Sequence, residues 1–192
     1  MVLLKNSSSS ISPPEDRKVL FDYRLSDNSP LLEIRALTID DLDLQCAWMY
    51  DELKGATGLG SMEALRQSVE GTYEVMTLSD MGALFMILLD RNPAYIVEVT
   101  SFMLHAGLTQ YNLMPGDWFF SVVQAPGKEP IPELLQVLKL FFLQDTDIKR
   151  LLIKVFDNQC ELKRMLVDAG FRYLGPWHET TGSQMPSLYY AC

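Results

Sequence analysis

Residues 134–175, LLQVLKLFFLQDTDIKRLLIKVFDNQCELKRMLVDAGFRYLG, change hydrophobic period three times within about forty positions, which restricts them to a helix–strand–helix–strand order. Leu134, Leu138, Phe141 and Phe142 recur at spacings of three, four and seven and form one stripe of a helix. Such a stripe needs a sheet to cover. After Asp145, Thr146 and Asp147 break the pattern, Leu151, Leu152, Ile153, Val155 and Phe156 make a short, nearly continuous apolar run. That is the signature of a strand buried on both faces, usually central and parallel. Asp157 and Asn158 suit a helix N-cap. Leu162, Met165, Leu166 and Ala169 then mark a second amphipathic helix, Gly170 stands where a left-handed C-cap residue belongs, and Phe171 opens a further strand.

The rest of the chain supplies the sheet. Val19–Phe21 and the run Leu31, Leu32, Ile34, Leu37 flank the turn-rich SDNSP and read as two short strands. Thr38, with Asp41 three residues on, begins a capped amphipathic helix through Leu42, Leu44, Trp48 and Met49. Residues 59–80 form another helical segment. Leu84–Leu89, an Asp90-Arg91-Asn92-Pro93 turn and Ala94–Val99 then make an antiparallel hairpin. Trp118–Val123 reads as the strand expected beside 151–156, and Ser187–Ala191 as the partner of the strand opened by Phe171. Residues 1–17 are Ser- and Pro-rich with nothing to bury and read as a flexible lead-in, leaving 18–192 as a single domain.

Charge and cysteine usage narrow the function. A net charge of −9 argues against nucleic acid or an anionic membrane as main partner. No apolar run approaches a membrane span, and MVLLKNSSSS is too short in apolar residues for a secretory signal. Cys46, Cys160 and Cys192 follow no metal or redox spacing, so no metal is expected, and free thiols point to the cytoplasm.

Three local patterns together resemble the GCN5-related N-acetyltransferases: Ile34-Arg35-Ala36-Leu37-Thr38 before an acidic helix start, Phe156-Asp157-Asn158, and Ala169-Gly170-Phe171-Arg172. The resemblance covers roughly residues 30–190 in element order. The periods alone also suit an unrelated α/β domain with a βαβ unit. "AWMYDE", Ile96-Val97-Glu98 and the Pro115-Gly116-Asp117 turn look most like the siderophore-biosynthesis branch, which acylates lysine-type amines and hydroxylamines. The resemblance implies an α/β (α+β) fold with a mixed, mostly antiparallel central sheet flanked by helices. It further implies acetyl-CoA or another acyl-CoA as cosubstrate and a small-molecule amine acceptor. Monomer and homodimer stay open.

Candidate site residues follow from both lines. His105 and His178 are the two histidines able to act as bases near neutrality. The resemblance sets His105 on the acceptor side, while an exposed loop histidine is the plainer reading; His178 is assigned to structure. Asp117 either holds a cationic amine or caps its turn. Glu98, a carboxylate inside an apolar strand, is a candidate amine contact, and Tyr111 a candidate acceptor-pocket residue. The other aromatic candidates for such a pocket, Trp48, Tyr50, Phe102 and Trp118, are expected mostly in the core. The resemblance also implies cofactor contacts at Val122, Val123, Gly127, Lys128 and Asn158. Three departures weaken it. The loop QAPGKEPIPE (124–133) has one glycine and three prolines where the family has a glycine-rich phosphate loop, and it carries Glu129 and Glu133. Ser121 stands where the siderophore branch often has a histidine, and Leu166 where many relatives have a tyrosine acid. A non-catalytic binding or scaffold protein of the same fold, with a degenerate CoA site, is therefore the competing reading, and a solvated surface loop the competing account of 124–133.

Overall fold

The computed structural model describes residues 18–24, 26–53, 61–105, 113–128, 131–145, 147–156, 159–176 and 187–191; the expected lead-in of residues 1–17 lies outside them. The strands are β1 (Val19–Tyr23), β2 (Leu32–Ala36), β3 (Gly82–Leu89), β4 (Asn92–Ser101), β5 (Asp117–Gln124), β6 (Arg150–Val155), β7 (Arg172–Pro176) and β8 (Ser187–Ala191). Among the described residues four α-helices accompany them: α1 (Leu42–Leu53), α2 (Met62–Leu78), α3 (Pro132–Phe142) and α4 (Cys160–Asp168). The strands form one sheet ordered β1-β2-β3-β4-β5-β6-β8-β7. The expected parallel neighbours are present, since β5 pairs with β6 in parallel register, and β1–β2, β2–β3, β6–β8 and β7–β8 are antiparallel.

By packing, the chain groups into two compact units, one holding 2–98 and 122–129 and the other holding residue 1, 99–121 and 130–192. In the first, β2 and β3 pair from Leu32↔Leu89 to Ala36↔Phe85. The β3–β4 connection is a two-residue turn in which Asp90 (φ 49°) and Arg91 (φ 66°) both take left-handed backbone, as the right-handed twist of a tight hairpin demands. Asp90 Oδ1 also accepts from the Leu31 amide at 2.9 Å, tying the turn to the start of β2. The core of this unit joins Leu37, Leu42, Cys46 and Trp48 with Leu65, Val69 and Met76 of α2 and with Leu84, Met86, Ile96 and Ala125.

A buried ion pair fixes the start of α1. Asp41 accepts from Arg35 Nη1 at 2.7 Å and Nη2 at 2.9 Å, from the Thr38 amide at 2.9 Å and from the Thr38 hydroxyl at 2.8 Å. The capping signature of the sequence thus belongs to a larger buried network. Burial alone would raise the Asp41 carboxyl; the Arg35 hydrogen bonds, the two Thr38 bonds and the Arg35 charge outweigh it and hold the pKa at about 2.

In the second unit, α3 buries Leu134, Leu135, Val137, Leu138, Phe141 and Phe142, a wider stripe than the four positions read from spacing. Pro132 opens it at the position where a missing N–H costs least. Leu138 is fully buried, so Leu138→Ala should cost about 2–5 kcal/mol. α4 ends in a Schellman motif: Phe171 N–H donates to Leu166 O at 2.8 Å and Gly170 N–H to Val167 O at 2.9 Å, with Gly170 at φ 83°. Lys139 Nζ donates to Ala169 O at 2.8 Å, capping the same helix end with a cation. Phe171 then packs against Phe120, the ring planes tilted by 50° and the centroids 5.9 Å apart. Two local expectations need correction. Phe156 lies beyond β6 and is exposed, because its position follows the last paired residue, Val155. The N-cap of α4 is Gln159, whose Oε1 accepts from the Phe156 amide at 2.9 Å. As expected, β8 is the antiparallel partner of β7; its other edge pairs with β6, so it lies between the two.

Candidate functional site

In the second unit, Met114–Asp117 form a tight turn closed by the Asp117 amide on Met114 O at 3.0 Å. Gly116 takes φ 96°, and a Cβ there would meet Lys149 Cγ at 2.8 Å and Asp147 O at 3.1 Å, so only glycine fits. Gly116 O accepts from the Lys149 and Arg150 amides at 2.7 and 3.1 Å, fixing the turn against the start of β6. Asp117 is completely buried, with both carboxylate oxygens engaged. Oδ1 accepts from Arg150 Nε at 2.6 Å, and Oδ2 from Arg150 Nη2 at 2.5 Å and from the Met114 amide at 2.9 Å. Arg150 in turn lies over the Tyr190 ring at 5.7 Å. Of the two roles read for Asp117, this geometry is that of turn and strand anchoring. A cationic partner is present, but it is the protein's own.

β5 pairs with β6 over three residues, Asp117↔Arg150, Trp118↔Leu151 and Phe119↔Leu152, and itself continues to Gln124. Ser121 is exposed and Leu166 fully buried, so the two positions at which the resemblance implied a histidine and a tyrosine hold a surface hydroxyl and a core methyl pair. After β4 the chain makes a short 3-10 turn, Phe102–His105, started by the Met103 amide on Ser101 Oγ at 3.4 Å. The His105 main chain ends this turn; its side chain, with Tyr111, Asn158 and His178, lies outside the described residues.

In the first unit, Glu98 sits near the end of β4, half-buried, two residues beyond the core residue Ile96 and on its face. Burial pushes its carboxyl above the ordinary value of 4.5. No side-chain hydrogen bond or ion pair joins it to another described residue. Val122 and Val123 are half-buried in β5. Beyond them the Ala125 amide donates to Ala94 O at 2.9 Å, and the Lys128 amide closes a turn on Ala125 O at 3.0 Å. Gly127 is exposed at φ 73° with nothing near its Cβ direction. Of the two amides expected to face an anion, that of Lys128 is therefore already used, which leaves the Gly127 amide and the exposed Lys128 ammonium. The first turn of α3 adds Glu133, which opposes an anion. Trp48 is core, whereas Tyr50, Phe102 and Trp118 are partly buried. Among the described residues no three His, Cys, Asp or Glu side chains gather as a metal site, and no helix is long and apolar enough to cross a membrane.

The mixed, mostly antiparallel eight-stranded sheet flanked by four helices is the fold of the GCN5-related N-acetyltransferases. Aminoglycoside acetyltransferase AAC(6')-Ib, solved with coenzyme A and kanamycin, aligns over 83% of this chain and 94% of its own at TM-score 0.67 and 13% identity. RimL, the ribosomal L7/L12 alpha-N-protein acetyltransferase, solved with coenzyme A, aligns over 89% and 97% at TM-score 0.65 and 13% identity. An uncharacterized protein from Bacillus halodurans aligns over 90% and 91% at TM-score 0.72 and 15% identity. No protein-family model and no curated protein sequence matches the chain.

Proposed function

We propose that the chain, as one domain from Lys18 onward, is an acyl-CoA-dependent N-acyltransferase acting on a small primary amine or hydroxylamine by direct transfer. The carrying observation is the short β5–β6 ladder: three pairs, after which β5 runs on with main-chain groups on that side not committed to β6. Main-chain donors of that kind are what a thioester carbonyl needs, and they are indifferent to side-chain identity. The fold shared with acetyltransferases solved with coenzyme A supports the same reading.

Main-chain N–H donors near Val122 and Val123, on the β6 edge of β5, polarise the carbonyl. The acceptor nitrogen attacks its carbon, the C–S bond breaks, the thiolate of CoA leaves, and the amine proton passes through His105 to solvent. Glu98 holds the acceptor's ammonium before it loses that proton. Gly127 and Lys128 meet the pyrophosphate, Asn158 the pantetheine arm, and Tyr111 the acceptor. The likeness of AWMYDE, Ile96-Val97-Glu98 and the Pro115–Asp117 turn to the siderophore-biosynthesis branch favours a lysine-type amine or hydroxylamine, and the thiols of Cys46 and Cys160 suit work in the cytoplasm.

A non-catalytic binding protein is the second reading, favoured by the Lys128 amide already bonded to Ala125 and by Leu166 in the core. Calorimetric titration of acetyl-CoA and longer acyl-CoAs into the full chain decides between them. Binding tighter than about 100 μM, roughly −5.5 kcal/mol, supports the enzyme. No heat and no thermal shift at millimolar cofactor supports the scaffold. In the enzyme, His105→Ala lowers turnover by about 10²-fold or more, and an unchanged turnover removes His105 from the mechanism.

A further inference from the structure

Phe171 packs on Phe120, so the end of α4 lies against one face of the second unit's sheet, and Phe119, alternating with Phe120, points to the other. On that other face Tyr190 of β8 stands between its two register partners, Leu152 of β6 and Arg172 of β7. Directly opposed side chains have Cβ atoms about 5 Å apart, and diagonal neighbours about 7–8 Å. The diagonal neighbours of Tyr190 on β6 are Arg150 and Lys154, two residues to either side of Leu152, and Arg150 lies over the Tyr190 ring at 5.7 Å. The floor beneath them is apolar: Leu152 and Leu188 are fully buried, with Phe119, Leu113 and Leu174 packed around them. Three cations thus surround one half-buried phenol, in a chain whose net charge is −9.

Among the described residues the one acid of this face is Asp117, which accepts from Arg150 through both oxygens. The surplus of positive charge therefore rests on Arg172 and Lys154. Arg172 is exposed, and its guanidinium makes no ion pair with a described residue. Like charges gathered over an apolar floor repel one another more strongly than in open water, and an anion among them relieves that cost. The β5–β6 ladder ends at Phe119↔Leu152, and Lys154 is the next residue of β6 on this face, so the cluster borders the end of that ladder. We propose that Arg172, Lys154 and the Tyr190 hydroxyl hold a carboxylate carried by one of the two reactants, an inference that rests on the acyl-transfer reading. The guanidinium offers two parallel N–H groups, the ammonium a point charge and the phenol one O–H. The carboxylate's source is either the amine acceptor, as in an amino acid, or the acyl group, as in a dicarboxylic acyl-CoA. A diamine has nothing for these groups to hold and is repelled by them.

Two measurements on the full chain test this. The first is thermal unfolding with about 10 mM L-lysine, 6-aminohexanoate, 1,5-diaminopentane, potassium phosphate or KCl at matched ionic strength. The second is calorimetric titration with succinyl-CoA and acetyl-CoA. Lysine and 6-aminohexanoate should raise Tm by about 2 °C or more, and the diamine and both salts should not. Succinyl-CoA bound about tenfold or more tighter than acetyl-CoA, with no rise from the amino acids, assigns the carboxylate to the acyl group. Arg172→Gln and Lys154→Gln should each abolish or strongly weaken whichever effect is seen. Arg164→Gln, which removes an exposed cation of α4, should leave it intact. An equal rise with the diamine or either salt, an effect that survives both Arg172→Gln and Lys154→Gln or is lost equally in Arg164→Gln, or neither effect at all overturns the proposal. Where acetyl-CoA still binds in that case, acyl transfer stands without this site. Lysine held through Arg172 by a protein that binds neither acyl-CoA gives the converse: the carboxylate site stands and acyl transfer falls.

Discussion

Replacing Asp41 by Asn tests the buried network that orients α1. The native pKa of about 2 against an ordinary 3.8 is a difference of about 1.8 units, which at 1.36 kcal/mol per unit is about 2 kcal/mol of stability at neutral pH. Because the folded-state pKa is depressed, that stability is fully present above pH 3.8 and is lost as pH falls through about 2. Urea unfolding of wild type and Asp41→Asn across pH 7 to 2.5 should therefore show a gap of about 2 kcal/mol that is flat down to about pH 4 and narrows below it. At neutral pH the same gap lowers Tm by about 4–8 °C for a chain of this size. Asn can keep one acceptor on Thr38 but leaves the Arg35 guanidinium, 3% exposed, without its counter-charge. A gap as wide at pH 3 as at pH 7 would refute the argument, since the loss would then come from shape rather than from the carboxylate's charge.

Two further outcomes follow from the same geometry. Gly170→Ala forces a side chain into φ 83° at the Schellman cap and should cost about 1–2 kcal/mol; the added Cβ meets only the end of the flexible Lys139 side chain, at 3.1 Å, so the loss should lower the urea midpoint with the m-value unchanged. Glu98→Gln should stabilise the protein at pH 7, because burial disfavours the native carboxylate, and the gain should vanish below the ordinary value of 4.5, where both states carry the proton. If Glu98 also holds the acceptor, the same variant loses turnover while gaining Tm, and a variant that gains neither stability nor loses activity removes it from both roles.

What the sequence carried was the part of the fold written in side-chain period. The stripe from Leu134, the apolar run of β6 and the Ala169-Gly170-Phe171 helix end are each determined by residues that admit few alternatives, and all three are present. The insertion of β8 between β6 and β7 was not legible, because Leu188 and Ala191 pair as readily with one neighbour as with two, and no local period records which. The site was harder still. Asp117 looked like chemistry because a carboxylate in a turn is ambiguous until its partner is known, and Arg150 stands thirty-three residues away in sequence. Lys128 looked like a phosphate donor because sequence records the residue and not where its amide points; that amide closes the turn on Ala125. The partners of main-chain amides and of buried acceptors are set by the pairing of the elements, to which a one-dimensional reading has no access.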